Sequence, residues 1–208
     1  MFQINRQMEI SLVGIMFLLG CAFLLKMCYL SLFFNTAFIV LFLVAFYVYL
    51  RFRHRISVPL VLLMFVLFAV EVDALGNFFG MYGQRFGPMQ YDEFSHMTVQ
   101  VFVTPIIVWL LHSSLRKLGH DLSLFLTSLL AATVMFSLAS FYEIIELWDE
   151  LYVGGQRIWG PYDTASDLQW DLCGILIGCF IAKLALKKYS HTPLSKTVLQ
   201  TSGGDPRH

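Results

Sequence analysis

Residues 122–147 read LSLFLTSLLAATVMFSLASFYEIIEL. The stretch runs uncharged until Glu143 and Glu146 arrive, and Asp149 and Glu150 follow at once. An apolar run of roughly 18–20 residues is long enough to cross a bilayer. The reading is therefore a transmembrane helix whose carboxylates gather at one end. A carboxylate at membrane depth costs roughly 2.5–3.5 kcal/mol on insertion scales, so such a residue usually has a partner and a task.

The pattern recurs outward from there. Eleven of the fourteen acidic residues lie at or near the same end of the apolar runs: Glu71, Asp73, Asp92, Glu93, Glu143, Glu146, Asp149, Glu150, Asp163, Asp167 and Asp171. Most basic residues collect at the opposite ends. The chain is 58% hydrophobic and 13% charged, with a mean hydropathy of +0.69. A soluble domain carries about 25% charged residues. The fold class is all-α, a polytopic transmembrane helical bundle of about six spans. They are expected near 9–30, 33–50, 58–79, 93–112, 122–147 and 167–186. The first 50 residues are also compatible with one span instead of two. Residues 1–188 form a single membrane domain in this reading, and 189–208 a mobile cytoplasmic tail with no apolar period.

Lys and Arg orient the bundle. Arg6, Arg51, Arg53, Arg55, Arg116, Lys117, Lys183, Lys187, Lys188, Lys196 and Arg207 fall on one side, against Lys26, Arg85 and Arg157 on the other. The positive-inside rule puts both termini in the cytoplasm of a multi-pass inner-membrane protein. No basic patch suggests a nucleic-acid partner. Cys21, Cys28, Cys173 and Cys179 lie within apolar runs and read as packing residues.

Each of the last four spans presents polar groups at the outer end. Glu143, Glu146 and Glu150 are spaced i, i+3, i+7 and share a helix face. Asp167 and Asp171 stand one turn apart. Glu93 and His96 form an ExxH pair, and Asp73 and Asn77 an i, i+4 pair. Four helices presenting acids at similar depth suggest a shared cavity. Asp92 and Asp163 stand just ahead of helices, where Asp commonly caps exposed N–H groups. Thr164 with Asp167 resembles a capping box. Asp149 and Glu150 read as solvated.

The expected cation ligands are Glu143, Glu146, Asp167, Asp171, His96 and Asp73. Glu93, His96 and Glu143 are the expected acid–base groups. Many oxygen ligands with one imidazole favour Mg²⁺, Mn²⁺ or Ca²⁺ over di-iron or Zn²⁺. Carboxylates sharing protons are the metal-free alternative. Arg85 and Arg157, one in each external loop, and Asn77 are expected to meet a headgroup. Gly174 and Gly178, four apart, read as a close helix contact.

Four motifs carry a resemblance: ExDxxGNxxGxY at Glu71 to Tyr82, DExxH at Asp92 to His96, SxYExxE at Ser140 to Glu146, and YDTxxDxxxDxxGxxxG at Tyr162 to Gly178. In these the chain resembles the YjdF-like family of predicted bacterial inner-membrane proteins. A looser likeness runs to VanZ-like membrane proteins, associated with teicoplanin resistance. Asp92, His96, Glu143, Asp167, Gly174 and Gly178 match their pattern, while Glu146 stands for Gln and Asp171 for Asn. Both departures make this site more acidic and favour a cation. The resemblance implies an envelope role and supplies no reaction. The expected function is an inner-membrane protein with an outward-facing carboxylate and His site, binding a cation and acting on or binding a lipid or lipid-linked precursor. The alternatives are a proton- or cation-coupled transporter and a non-catalytic envelope protein with a structural cation.

Overall fold

The computed structural model describes residues 58–154, 158 and 160–190, together with positions 45, 48 and 49. Among these residues the chain forms α1 (Leu60–Phe78), α2 (Tyr91–Lys117), α3 (Leu124–Trp148) and α4 (Asp163–Ser190). A hairpin of β1 (Arg85–Phe86) and β2 (Met89–Gln90) lies between α1 and α2, with Arg85 opposite Gln90. All four helices are long and apolar enough to cross a membrane. They correspond to the last four expected spans. The two expected N-terminal spans and residues 191–208 of the expected tail lie outside the described residues.

Local chemistry sets the helix ends. α1 opens after Pro59, which suits a helix start because its missing N–H would be unpaired there anyway. The chain leaves α1 through Gly80, whose φ of 61° favours a residue without Cβ. α2 starts at Tyr91, two residues before the expected position near 93. A capping box explains the shift: the Glu93 carboxylate accepts the Gln90 N–H at 2.8 Å, and the Gln90 side chain accepts the N–H of Glu93. Ser123 caps α3, its hydroxyl accepting the Leu126 N–H at 3.3 Å. α3 runs on into a π-helical turn, Asp149–Val153, that ends at Gly154 with a φ of 81°.

The helices bury narrow stripes. On α3 the buried residues are Thr127, Ala131, Met135, Ala139, Glu143 and Glu146, which follow one another by three or four positions. The other faces of α3 expose Leu, Phe and Ile, as a lipid-facing helix does. α4 buries Asp167, Asp171, Gly174, Ile175, Gly178 and Ala182. α2 is the hub, packed against α4 most extensively and also against α1 and α3.

One half of the bundle has an apolar core. There Val58, Leu62 and Ile106 cluster, and Val108, Ala131 and Ala182 form a second group. The other half buries Asp92, Ser95, Gln100, Glu143, Glu146, Asp167 and Asp171.

Lipid tails are as apolar as leucine, so helix association in a membrane depends on close packing and polar contacts. The α2–α4 contact supplies the first. A Cβ on Gly174 would stand 2.3 Å from the Met97 carbonyl oxygen, and one on Gly178 would stand 2.7 Å from the Thr104 Cβ. The packing reading of these two glycines therefore holds. Gly160 has nothing within 4 Å of the same position. Gly174→Ala is expected to destabilise the protein by about 1–3 kcal/mol through overpacking against backbone. Gly160→Ala should behave as the parent. Thermal unfolding in mild detergent compares them, and equal midpoints would refute the tight contact.

Candidate functional site

The polar half of the core brings together five carboxylates and one imidazole in two sets. His96, Glu143 and Asp171 each present one ligand atom, all mutually within 4.8 Å. Asp92, Asp163 and Asp167 do the same. Glu143 lies five residues before the end of α3, and Asp171 eight residues into α4. At 1.5 Å per residue the centre is roughly 8–12 Å in from the helix ends.

His96 joins the sets. Its Nδ1 is 3.2 Å from both oxygens of Asp171, a carboxylate that also accepts the Gln100 amide at 3.1 Å. Its Nε2 is 3.7 Å from Glu143 Oε1 and 3.8 Å from Asp92 Oδ1. The Asp171 side chain thus has donors on both sides and fixes the ring. The Glu143 and Asp167 side chains are less satisfied. Glu143 Oε1 and both oxygens of Asp167 are buried without a hydrogen-bond partner among the described residues, although Thr164 bonds the Glu143 side chain. Asp167 is only 1% exposed.

Several expected site residues lie where the sequence placed them. His96, Glu143, Asp167 and Asp171 converge, and Glu146 is buried on the same stripe of α3. Others have local duties. Glu93 does not face His96. It closes the capping box and accepts the Ser166 hydroxyl with its other oxygen. The histidine's neighbour on α2 is Asp92, four residues back. Asp92 is not the N-cap of α2, and at 7% exposure it belongs to the centre. Asp163, also expected as a cap, is the first residue of α4 and joins Asp92 and Asp167. Glu150, expected to be solvated, accepts the Ile158 N–H at 3.0 Å.

Asp73 lies outside both sets and holds the turn after α1. It accepts the Tyr82 hydroxyl and, at 3.3 Å, the Asn77 amide. The Tyr82 hydroxyl is also 3.3 Å from Ser95 Oγ. Burial first, and then the Asp73 charge, push the Tyr82 pKa well above its ordinary value, so Tyr82 remains a donor. Gly76 leaves room for two rings: a Cβ there would meet Tyr91 at 2.0 Å and Tyr82 at 2.8 Å. The motif from Glu71 to Tyr82 is thus largely a structural lock between α1 and α2. Arg85 sits in the exposed hairpin, outside both sets, and Arg157 lies outside the described residues.

Four apolar helices around a buried carboxylate-rich centre define a polytopic membrane protein. Over residues 8–192 the chain matches the family described as predicted membrane protein, DUF2238, and it belongs to that family. This is the family of the YjdF-like resemblance, whereas the VanZ-like likeness gains no support from it. No curated protein and no solved structure matches the chain.

The lock and the centre are separable. Tyr82→Phe leaves Asp73 short of a donor inside the protein and is expected to cost about 1–3 kcal/mol of stability. Asp73→Asn should leave any metal the protein carries at the parent level. A metal content that falls with Asp73→Asn would return that residue to the ligand set.

Proposed function

We propose that this protein is a cation-binding membrane protein of the cell envelope. Its centre holds a divalent cation close to the outer face and presents it to the phosphate or carboxylate oxygens of a lipid or lipid-linked precursor. The observation that carries this reading is Asp167. A buried carboxylate without a hydrogen-bond partner is expensive, and here both oxygens lack one among the described residues. Asp92 and Asp163 beside it are also acids, so they add to the charge that needs compensation. A cation answers the charge and the missing contacts together. Oxygen donors with one imidazole suit Mg²⁺, Mn²⁺ or Ca²⁺. The outward orientation rests on the sorting of Lys and Arg.

A bound cation with open positions polarises a phosphoryl oxygen or activates water. In this reading Glu143 is a ligand to that cation, one of its oxygens being buried without a hydrogen-bond partner among the described residues. Transport fits less well. The acids gather at one end, while Val58, Leu62, Ile106 and Val108 fill the other half of the core. The buried polar side chains further along the bundle, Gln100, Thr104 and Thr127, carry no charge.

Protein purified in mild detergent without chelator is expected to carry stoichiometric metal. The double variant Glu143→Gln, Asp167→Asn should lose at least nine-tenths of it while remaining monodisperse. Metal-free protein in both cases would sink the reading in favour of carboxylates that share protons. A ligand that binds only the folded state at 100 times its Kd stabilises by about 2.7 kcal/mol. Adding Mn²⁺ to chelated protein should therefore raise its unfolding midpoint, and the double variant should not respond.

A further inference from the structure

The two ligand sets have no residue in common, but Asp92 of one lies beside His96 of the other, and this bears on how many cations the centre takes. Asp92 lies 3.8 Å from His96 Nε2 through Oδ1, and it also forms a set within 4.8 Å with Asp163 and Asp167. His96 Nδ1 is occupied by Asp171, which accepts its proton and is itself held by Gln100. A carboxylate that fixes the ring in this way leaves the other imidazole nitrogen as a metal ligand. That nitrogen, Nε2, faces Glu143 Oε1 at 3.7 Å and Asp92 Oδ1 at 3.8 Å. Both separations are too long for an N–H···O hydrogen bond. They suit neighbouring ligands around one cation, since ligands at about 2.1–2.5 Å from a metal stand roughly 3–4 Å apart.

The second set does not include His96 itself. Its centre is Asp167, 1% exposed, with two oxygens that no donor meets among the described residues. Its companions are oxygen donors only, Asp92 and Asp163. A single cation at Nε2 would leave this set uncompensated. A single cation among the three aspartates would leave Glu143 Oε1 and His96 Nε2 at 3.7 Å, beyond hydrogen-bond distance.

We propose that the centre is binuclear, and that Asp92 bridges two divalent cations. One is held by His96 Nε2 and Glu143, the other by Asp163 and Asp167. Asp171 and Gln100 are positioning residues that set the imidazole. Cations sharing a carboxylate in this way lie about 3.5–4 Å apart, the spacing that clamps the oxygens of a phosphate ester. The inference rests on the cation-binding reading above and specifies its stoichiometry and ligands.

Mn²⁺ is the probe, because two bridged Mn²⁺ ions are exchange-coupled and isolated ones give a six-line spectrum. Full-length protein in mild detergent is stripped with chelator and titrated with Mn²⁺. Metal content and electron paramagnetic resonance are then read together. The expected result is two Mn²⁺ per chain with a coupled spectrum. Glu143→Gln and Asp163→Asn should each retain one Mn²⁺ and show the six-line spectrum, with affinity for the other lowered at least tenfold. Asp92→Asn should lose coupling and weaken both sites. If that variant does not fold, the other two variants still decide the matter. One Mn²⁺ in the parent would overturn the binuclear centre and leave the cation-binding reading standing. No bound Mn²⁺ would overturn both. Two ions with a six-line spectrum would remove the bridge.

Discussion

Asp167 and Asp171 stand one turn apart on α4, exposed by 1% and not at all, in a helix otherwise rich in leucine, isoleucine and alanine. Charge is admitted to such a place only with compensation, and the surrounding bundle supplies it unevenly. α2 brings His96 and Gln100 to Asp171. It can approach that closely because one and two turns further along α4 the contact is made by Gly174 and Gly178, where any Cβ would strike α2. The small residues and the acids therefore belong to one device. The glycines set the distance at which the imidazole meets the carboxylate.

That coupling explains the division of the core into two halves. Packing in lipid gains little from apolar contact alone, so helices that meet must fit closely or exchange polar contacts. In the apolar half, Val108, Ala131 and Ala182 do so by fit, all at 3% exposure or less. In the polar half, fit and charge operate together. The lock between α1 and α2, made by Asp73, Asn77, Tyr82, Ser95 and the Tyr91 hydroxyl on the Val72 carbonyl at 2.6 Å, fixes the start of α2. It thereby fixes the direction in which Asp92 and His96 project.

Much of this was legible in the chain. A stripe of acids at i, i+3 on an apolar run can only point one way, so Glu143 and Glu146 are found buried together. The one-turn spacing of Asp167 and Asp171 likewise survives folding. What escaped was the phase of α2. Neighbouring helical residues differ by about 100°; with the helix beginning at Tyr91, Asp92 is helical and stands one turn from His96, while Glu93 turns to the Gln90 N–H. The displacement came from Gln90, a weak N-cap by type, which works here because Glu93 completes the box. An i, i+4 pairing of Asp92 with His96 was present in the sequence as a rival to the ExxH pair. The hairpin at 85–90 and the partner of Asp73 were less accessible, because both depend on how a glycine-rich loop folds back on the helix ends.

The contrast between Asp171 and Asp167 bears on what kind of centre this is. A polar network that serves only to fix helices satisfies its members, since each unmet buried group costs about 1–3 kcal/mol and more when charged. Asp171 follows that rule, with donors from His96 and Gln100. Asp167, one turn away in the same helix, has none among the described residues, and Ser166 beside it spends its hydroxyl on Glu93. A donor was thus close in sequence and is directed elsewhere. Helix packing alone gives no reason to keep an acid at position 167, because an alanine would fit the stripe without the penalty. In the reading proposed above, the carboxylate retained there at such cost is the one that meets the cation.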